Sequence, residues 1–428
     1  MKYKITNGIL LLFEDNMFKT VQKDLYISEN KIEHIGIKSP REDDSYEIID
    51  ASNRLVMPGL INMHTHAYMT FMRNCADDID FNEWLFHRVA PIEEKMLGED
   101  AYWSTLLGCM EMIRTGTTCF TDMHMFSGNV PKAINDSGMR AYIGRGLVGT
   151  DLFGDGYGRF SQAMSEMKEY SSERLGFILS PHAIYSCSEK LLRQVCEQSD
   201  INDMLKQIHL SESEFEFVES KKKYGKTPVE YLFDIGFIDN RTILAHCVKT
   251  TENDLEIIQS QKSTIVTNPA SNAKLGNGIA PISEMISHGI NVCIGTDGTA
   301  SNNTLNMFRE MGLLSLIHKG VNQNPLTTTS QQVLLFATQN AARALNKEGM
   351  IGAIKEGAYA DLIFVNLNSL SLFPNNNIVS SLCYSANGSE TDSVMINGKM
   401  VMKNKELVTI DEERVIFEIT RIVNKYLL

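Results

Sequence analysis

A (β/α)₈ barrel accompanied by a smaller β domain is the fold class that this 428-residue sequence predicts. Three observations lead there. Between Leu60 and roughly Ala344, short apolar runs alternate with longer helical patterns, eight times over. Polar residues capable of chemistry stand at or just past the C-terminal ends of those runs, the face on which barrel active sites form. The glycine-rich phosphate loops that usually open a doubly wound sheet, GxGxxG and GxxxxGK[ST], do not occur in the sequence.

Taken in chain order, residues 1–57 read as short strands. YKITNGILLLF, KDLYISENKIEHIGI and YEIIDASNRLVMPG are rich in β-branched residues and punctuated by NG, EN and SN. The barrel is expected over 58–350. Its candidate strands are GLINMHTH, TTCFTDM, RAYIGRGLV, RLGFILSPH, MLKQIHLSE, RTILAHC, STIVTNP and NVCIGTDG. They are nearly all apolar rather than alternating, as parallel strands buried on both faces are. Helical patterns such as EDAYWSTLLGCMEMIRTG, SEKLLRQVCEQS, TENDLEIIQSQ and ISEMISHG fall between them. Over 351–428 the β texture returns in GAIKEGAYADLIFVNLN and SVMINGKMVMKNKEL, with a hairpin turn at Asn397–Gly398. DEERVIFEITRIVNKYLL ends the chain as an amphipathic helix with acids in its first turn, where the helix dipole favours them. The opening and closing β segments are expected to combine into one small domain.

The composition narrows the partners. Lys and Arg number 40 against 53 Asp and Glu, a net charge of -13. Such a surface repels nucleic acid and anionic membrane, so a small-molecule partner is expected, with no nucleic acid and no membrane. Self-association into a homo-oligomer stays open. Eight cysteines are scattered without a CxxC pair and read as free thiols of a reducing compartment. The apolar run in MKYKITNGILLLFED is too short for a secretory h-region. No stretch approaches the roughly 18 apolar residues of a membrane helix. A cytoplasmic location is expected.

The polar strand ends suggest the chemistry. His64 and His66 close the first strand, and residues two apart on a strand point the same way. HxH alone is weak, but His209, His246 and Asp297 end three further strands on the same face. Three imidazoles and one carboxylate with an open water position suit zinc or another first-row metal. Glu212, three residues after His209, can lean back over the strand end as a proton shuttle; the bland reading is an acid at a helix start. Glu214 and Glu216 fit the bland reading better. His182 follows the fourth strand and is either a substrate contact or a structural hydrogen-bonding residue. Arg145, after an apolar run, needs an anionic substrate group or a buried acid as partner. Arg159, in the glycine-rich stretch GDGYGRF, is expected in a loop that reaches over the mouth. Glu93 is a further mouth candidate, and NPASNAKLGNGIAP reads as a site-lining loop.

Those residues sit in runs that resemble the amidohydrolase superfamily, and most of all its 5-methylthioadenosine/S-adenosylhomocysteine deaminases. The runs are VMPGLINMHTHAYMTFMR, FNEWLFHRVAPIEEKM, MEMIRTGTTCFTDM, SPHAIYSCS, IHLSESEFE, LAHCV, NPASNAKLGNGIAPI, IGTDGTASNN and GAIKEGAYADLIFVNL. The resemblance implies a barrel flanked by a β-sandwich made from both termini, and one zinc ion held by His64, His66, His209 and Asp297. It implies hydrolytic deamination of adenine nucleoside thioethers, with S-adenosylhomocysteine and 5-methylthioadenosine as substrates and adenosine as a further one. Glu212 would pass a proton to purine N1, His246 would orient the attacking water, and Asp297 would take up a proton. His182 would contact the purine, Glu93 the ribose hydroxyls, Arg145 and Arg159 the homocysteine carboxylate, and Trp84 would wall the substrate tail. Guanine deaminases and aminotriazine or chlorotriazine hydrolases of the same superfamily are the alternatives. A non-catalytic binding protein would lack a ligand or the shuttle, and both are present. A two-metal relative would place a bridging lysine near LGFILSPH, where there is none.

Overall fold

The computed structural model describes residues 1–37, 45–149 and 155–428. Eight parallel strands form the barrel, as the sequence predicts. They are Leu60–Thr65, Thr117–His124, Arg140–Leu147, Leu175–Phe177 continuing as Ser180–Pro181, Lys206–Leu210, Thr242–His246, Thr264–Thr267 and Asn291–Ile294. Strands one to four pair in order, and so do strands five to eight. Two seams join these halves. Across the first, Leu179 bridges Lys206, and the His209 N–H donates to the His182 carbonyl at 3.0 Å. Across the second, the Asp297 N–H donates to the His64 carbonyl at 2.8 Å. There the Asn62 side chain also donates to Thr296 Oγ1 at 2.7 Å and accepts the Thr296 N–H at 2.9 Å. Gly295 permits this close approach: a Cβ would stand 2.7 Å from the His64 nitrogen.

The helices expected from the sequence form as Gly98–Arg114, Glu189–Asn202, Glu252–Ser260 and Ile282–Ser287. Three more, Met307–Val321, Ser330–Phe336 and Gln339–Ala344, follow the eighth strand. A π-helical turn, Glu83–Val89, leads into helix Ala90–Lys95 and brings Trp84 and Glu93 to the barrel mouth.

Both chain ends build the β-sandwich. One sheet runs Lys31–Ile35, Leu25–Ser28, Lys2–Thr6, Glu47–Asp50. In the other, seven-stranded sheet, C-terminal strand Leu362–Asn366 pairs antiparallel with N-terminal strand Arg54–Pro58. Tyr3, Ile5, Leu10, Leu25, Val56 and Phe364 fill the space between the sheets. Leu11, Leu55, Met57 and Ile363, on the opposite face of the large sheet, join the barrel core. This alternation along single strands is the period of two that a sheet buried on both faces requires. The Asn397–Gly398 turn forms as expected, both residues with positive φ, 52° and 71°.

A buried ion pair ties the sandwich to the barrel. Arg140, at the start of the third barrel strand, donates through Nε to Asp361 Oδ2 at 2.6 Å. Its other nitrogens reach the Glu173 carbonyl and Asn397 Oδ1. Both members of the pair are 1% exposed. Replacing Asp361 with Ala leaves the guanidinium buried and unpaired, and is expected to cost about 3–5 kcal/mol in urea unfolding. A loss below about 1 kcal/mol would mean that the pair contributes little to holding the two parts together.

The C-terminal helix, Glu412–Tyr426, docks on helix Gly98–Arg114. Buried Asp100 receives Arg421, Lys425 and the Tyr426 hydroxyl at 2.7–2.8 Å. Burial opposes ionisation of Asp100, but these donors outweigh it and hold its pKa below the ordinary aspartate value. Its contribution to stability is therefore present above the unfolded pKa and is lost as pH falls through the lower folded value. In acid titrations monitored by melting temperature, Asp100→Asn is expected to be less stable at neutral pH, by about 1–2 kcal/mol. The gap should close as the acid end is reached. A constant gap would remove the charge from the explanation.

Candidate metal centre

Strand register decides where the imidazoles point. His64, His66, His209 and His246 are all at most 7% exposed. The ring nitrogens of His64, His66 and His209 lie within 4.8 Å of one another, with His66 Nε2 3.2 Å from His209 Nε2. Asp297 Oδ1 stands 3.4 Å from His66 Nε2 and 3.8 Å from His64 Nε2. His66 Nδ1 is 2.7 Å from the Met123 carbonyl, and His209 Nδ1 is 2.7 Å from the His182 carbonyl. Carbonyls only accept, so each Nδ1 carries the proton and each Nε2 turns its lone pair inward. Burial, then the neighbouring imidazoles, hold His64 and His209 well below the usual histidine pKa. Neutral imidazoles are the form that binds a cation. His64 Nε2 is buried with no hydrogen-bond partner among the described residues. This donor set fits one Zn²⁺ or a similar divalent ion.

Around the cluster the carboxylates divide. Burial raises the pKa of Asp297, but His66, His64 and His246 outweigh it and keep it ionised. Its Oδ2 accepts the Ser271 and Ser301 hydroxyls at 2.6 and 2.9 Å, and its Oδ1 the Gly298 N–H. Glu212 is pushed up to about 8 by burial, with the Asp297 charge adding to it. Asn277 donates to Glu212 Oε1 at 3.1 Å. His246 Nε2 lies 3.9 Å from Glu212 Oε2, and its Nδ1 is 2.9 Å from Asn272 Oδ1. His246 and Asp297 both take left-handed backbone, φ 74° and 65°. Such residues cost free energy and gather at sites where the surrounding structure fixes them.

Two connected chambers lead outward. The inner cleft, about 450 Å³, is lined by the metal-facing residues together with Tyr68, Trp84, Glu93, His182 and Tyr185. The outer chamber, about 1140 Å³, is largely apolar, with Phe86, Met96, Phe126 and Val148 beside Arg159. Trp84 is fixed by its Nε1–H donating to the Ala300 carbonyl at 3.0 Å. Glu93 accepts the Tyr68 hydroxyl. His182 Nδ1 is 2.8 Å from Ser186 Oγ, and burial pushes its pKa down to about 4.

The structure departs from expectation at Arg159 and adds detail at Arg145 and Glu216. Arg159 lies in helix Asp155–Tyr170 rather than a loop, and donates to the Gly146 carbonyl at 3.3 Å. A helix forms because the glycines are few enough for the following SQAMSEMKEY to carry it; part of the stretch before it, 150–154, lies outside the described residues. Arg145 Nε donates to Gln162 Oε1 at 3.2 Å, its Nη1 is buried with no hydrogen-bond partner among the described residues, and burial, then the Arg159 charge, push its pKa down to about 10; it lines neither chamber. Glu216 stands in the first turn of its helix, as expected, but is buried: it is 1% exposed, and its Oε2 accepts the Glu212 N–H at 2.9 Å. Sequence reasoning missed Tyr68, Tyr185, Asn272 and Asn277 individually. The first two stand two and three residues beyond histidines that were found, and the last two lie in the amide-rich loop.

Buried imidazoles converging at the C-terminal mouth of a parallel barrel, with an acid held over them, define a metal-dependent hydrolase. More narrowly, the chain belongs to the amidohydrolase family, which it matches over residues 55–401. It is 43% identical to a 5-methylthioadenosine/S-adenosylhomocysteine deaminase of Thermococcus sibiricus, over 94% of each chain. It is 41% identical to a 5'-deoxyadenosine deaminase of Methanocaldococcus jannaschii, over 95% of this chain and 97% of that one. The zinc-bound structure of an adenosine deaminase from Xanthomonas campestris superposes with a TM-score of 0.93 at 26% identity, covering 99% of this chain and 98% of that one.

Purified protein is expected to carry one zinc ion per chain. His66→Ala should weaken zinc binding by more than the roughly 10–100-fold that loss of an outer hydrogen bond costs, measured by competition with a chelator. Wild-type affinity in that variant would remove His66 from the ligand set.

Proposed function

We propose that this enzyme hydrolytically removes the 6-amino group of adenine nucleosides whose 5' position carries a thioether or no hydroxyl. S-Adenosylhomocysteine, 5-methylthioadenosine and 5'-deoxyadenosine are the substrates that fit the reading, with adenosine a further one. The observation that carries it is the near-full-length similarity to deaminases of that substrate class, joined to a three-histidine cluster with Glu212 directly beside it. A bound zinc ion would supply Lewis-acid activation of water near neutral pH.

The roles of the chain's own residues follow from their positions. His64, His66, His209 and Asp297 hold the ion. His246, anchored by Asn272, orients the water that attacks purine C6. Glu212 passes one proton of the attacking water to N1, so negative charge does not accumulate on the ring. Asp297 takes up the water's other proton and gives it to the departing amino group. The C6–N bond then breaks, the amino group leaves as ammonia, and the inosine analogue remains. His182 meets the purine and Glu93, its carboxylate held by Tyr68, accepts the ribose hydroxyls. Trp84 walls the tail. Arg159, on the outer chamber, meets a tail carboxylate; Arg145 acts there only if it leaves Gln162. The same reading divides the chain into sandwich residues 1–57 and 351–428 and barrel residues 58–350. It places the enzyme in the cytoplasm, supported by eight free thiols. The net charge of -13 supports a small molecule over nucleic acid as partner. Among the described residues no helix is long and apolar enough to cross a membrane.

Ammonia release from the zinc-loaded enzyme tests the proposal. Turnover is expected with the three nucleosides, and Glu212→Gln should lower kcat by at least about 100-fold. Ammonia from guanine or an aminotriazine, with none from any adenine nucleoside, would overturn the substrate assignment.

A further inference from the structure

We infer that Glu216 is a positioning residue for Glu212: its carboxyl group clamps the backbone on which the proton carrier stands. Helix Glu214–Tyr224 begins at Ser213, whose Oγ accepts the Glu216 N–H at 3.3 Å. An acid at this third helical position ordinarily returns to the N–H of the capping residue itself. Glu230 and Asp254 do so in this chain, closing capping boxes with Thr227 and Thr251. Glu216 reaches one residue further back and takes the N–H of Glu212 at 2.9 Å.

The segment it holds needs holding. Ser211, between His209 and Glu212, has left-handed backbone with φ 50°, which a residue with a Cβ adopts at a cost. Among the described residues the Glu212 side chain itself receives a single hydrogen bond, from Asn277. Its direction is therefore set largely by where its backbone stands. Glu216 is 1% exposed, and its second oxygen, Oε1, is buried with no hydrogen-bond partner among the described residues. Burying a carboxyl group in that way is unfavourable; a helix-start acid serving only the dipole would stay in solvent. Burial pushes Glu216 up to about 8, so glutamine is a close isostere of the form present near neutrality.

The inference rests on the deaminase reading for Glu212 as proton carrier. Its test uses the zinc-loaded full chain as Glu216→Ala and Glu216→Gln. In the alanine variant kcat is expected to fall by about 10–100-fold, the effect of displacing a reacting group by about 1 Å. KM should change by less than about threefold, and zinc content should match the unaltered enzyme. Amide hydrogen exchange over residues 210–213 should become faster. Glutamine keeps an acceptor oxygen and is expected to retain most of kcat and of the exchange protection. Full activity and unchanged exchange in the alanine variant would overturn the clamp. So would activity lost in both variants in proportion to lost zinc or lost folded protein. Exchange needs no substrate, so a clamp seen there in an enzyme inert towards every adenine nucleoside would sink the deaminase reading and leave the positioning role standing.

Discussion

The closing seam of the barrel is the constraint on which the site depends. The eighth strand meets the first through one backbone bond, Asp297 N–H to the His64 carbonyl. That bond sets the carboxylate of one strand end against the imidazole of the other. Asn62 and Thr296 lock the register beside it with a reciprocal pair of hydrogen bonds. A one-residue slip of the first strand would turn His64 and His66 to the opposite face of the strand. The convergence of donors is thus a property of strand pairing before it is a property of side chains.

The same dependence runs through the second layer. His66 is oriented by a carbonyl of the second strand, and His209 by a carbonyl past the end of the fourth. Backbone groups supply these acceptors, and backbone position in a buried parallel sheet is fixed by the whole ladder. Four of the residues with left-handed backbone, Ser211, His246, Cys247 and Asp297, lie just where strands give way to loops. Each carries or borders a group that faces the cleft. Backbone strain of a few kcal/mol at such points is stabilised by the apolar core around the strands, and by the ion pair that binds the sandwich to the third strand.

What could be read from the sequence follows the same logic. Eight strands were legible because parallel strands buried on both faces write continuous apolar runs. His64, His66, His209, His246 and Asp297 were legible because each interrupts such a run at its end. Tyr68 and Tyr185 were not, since a tyrosine in a short 3₁₀ turn or a loop just past a strand has no periodicity to betray its direction. Arg159 looked like a loop residue because glycines precede it, yet the ten residues after it favour helix strongly enough to draw it in. Arg145 faced a choice between substrate and internal partner that the sequence leaves open, since Gln162, seventeen residues on, comes within reach only in the folded chain. Glu216 sat at a position where an exposed acid is the common outcome, and its burial depends on a turn that no local pattern announces.

The two chambers differ in chemistry, and the difference has a consequence for substrate range. The inner cleft presents imidazoles, carboxylates and a tyrosine-bound acid at fixed positions; small changes there displace reacting groups. The outer chamber offers apolar walls, methionines among them, with one arginine on its border. Methionine is unbranched and polarisable, and adapts to differently shaped neighbours. Apolar contact is non-directional and scales with area, so tails of different length can be held there at moderate differences in affinity. In the proposed reading, purine recognition and proton transfer are set by the rigid strand ends. The nature of the 5' substituent is judged by a surface that tolerates variation. In that reading the division suits thioether and 5'-deoxy nucleosides alike, the two classes that the names of similar proteins carry. It places the selectivity between them at the helices over the mouth rather than at the metal.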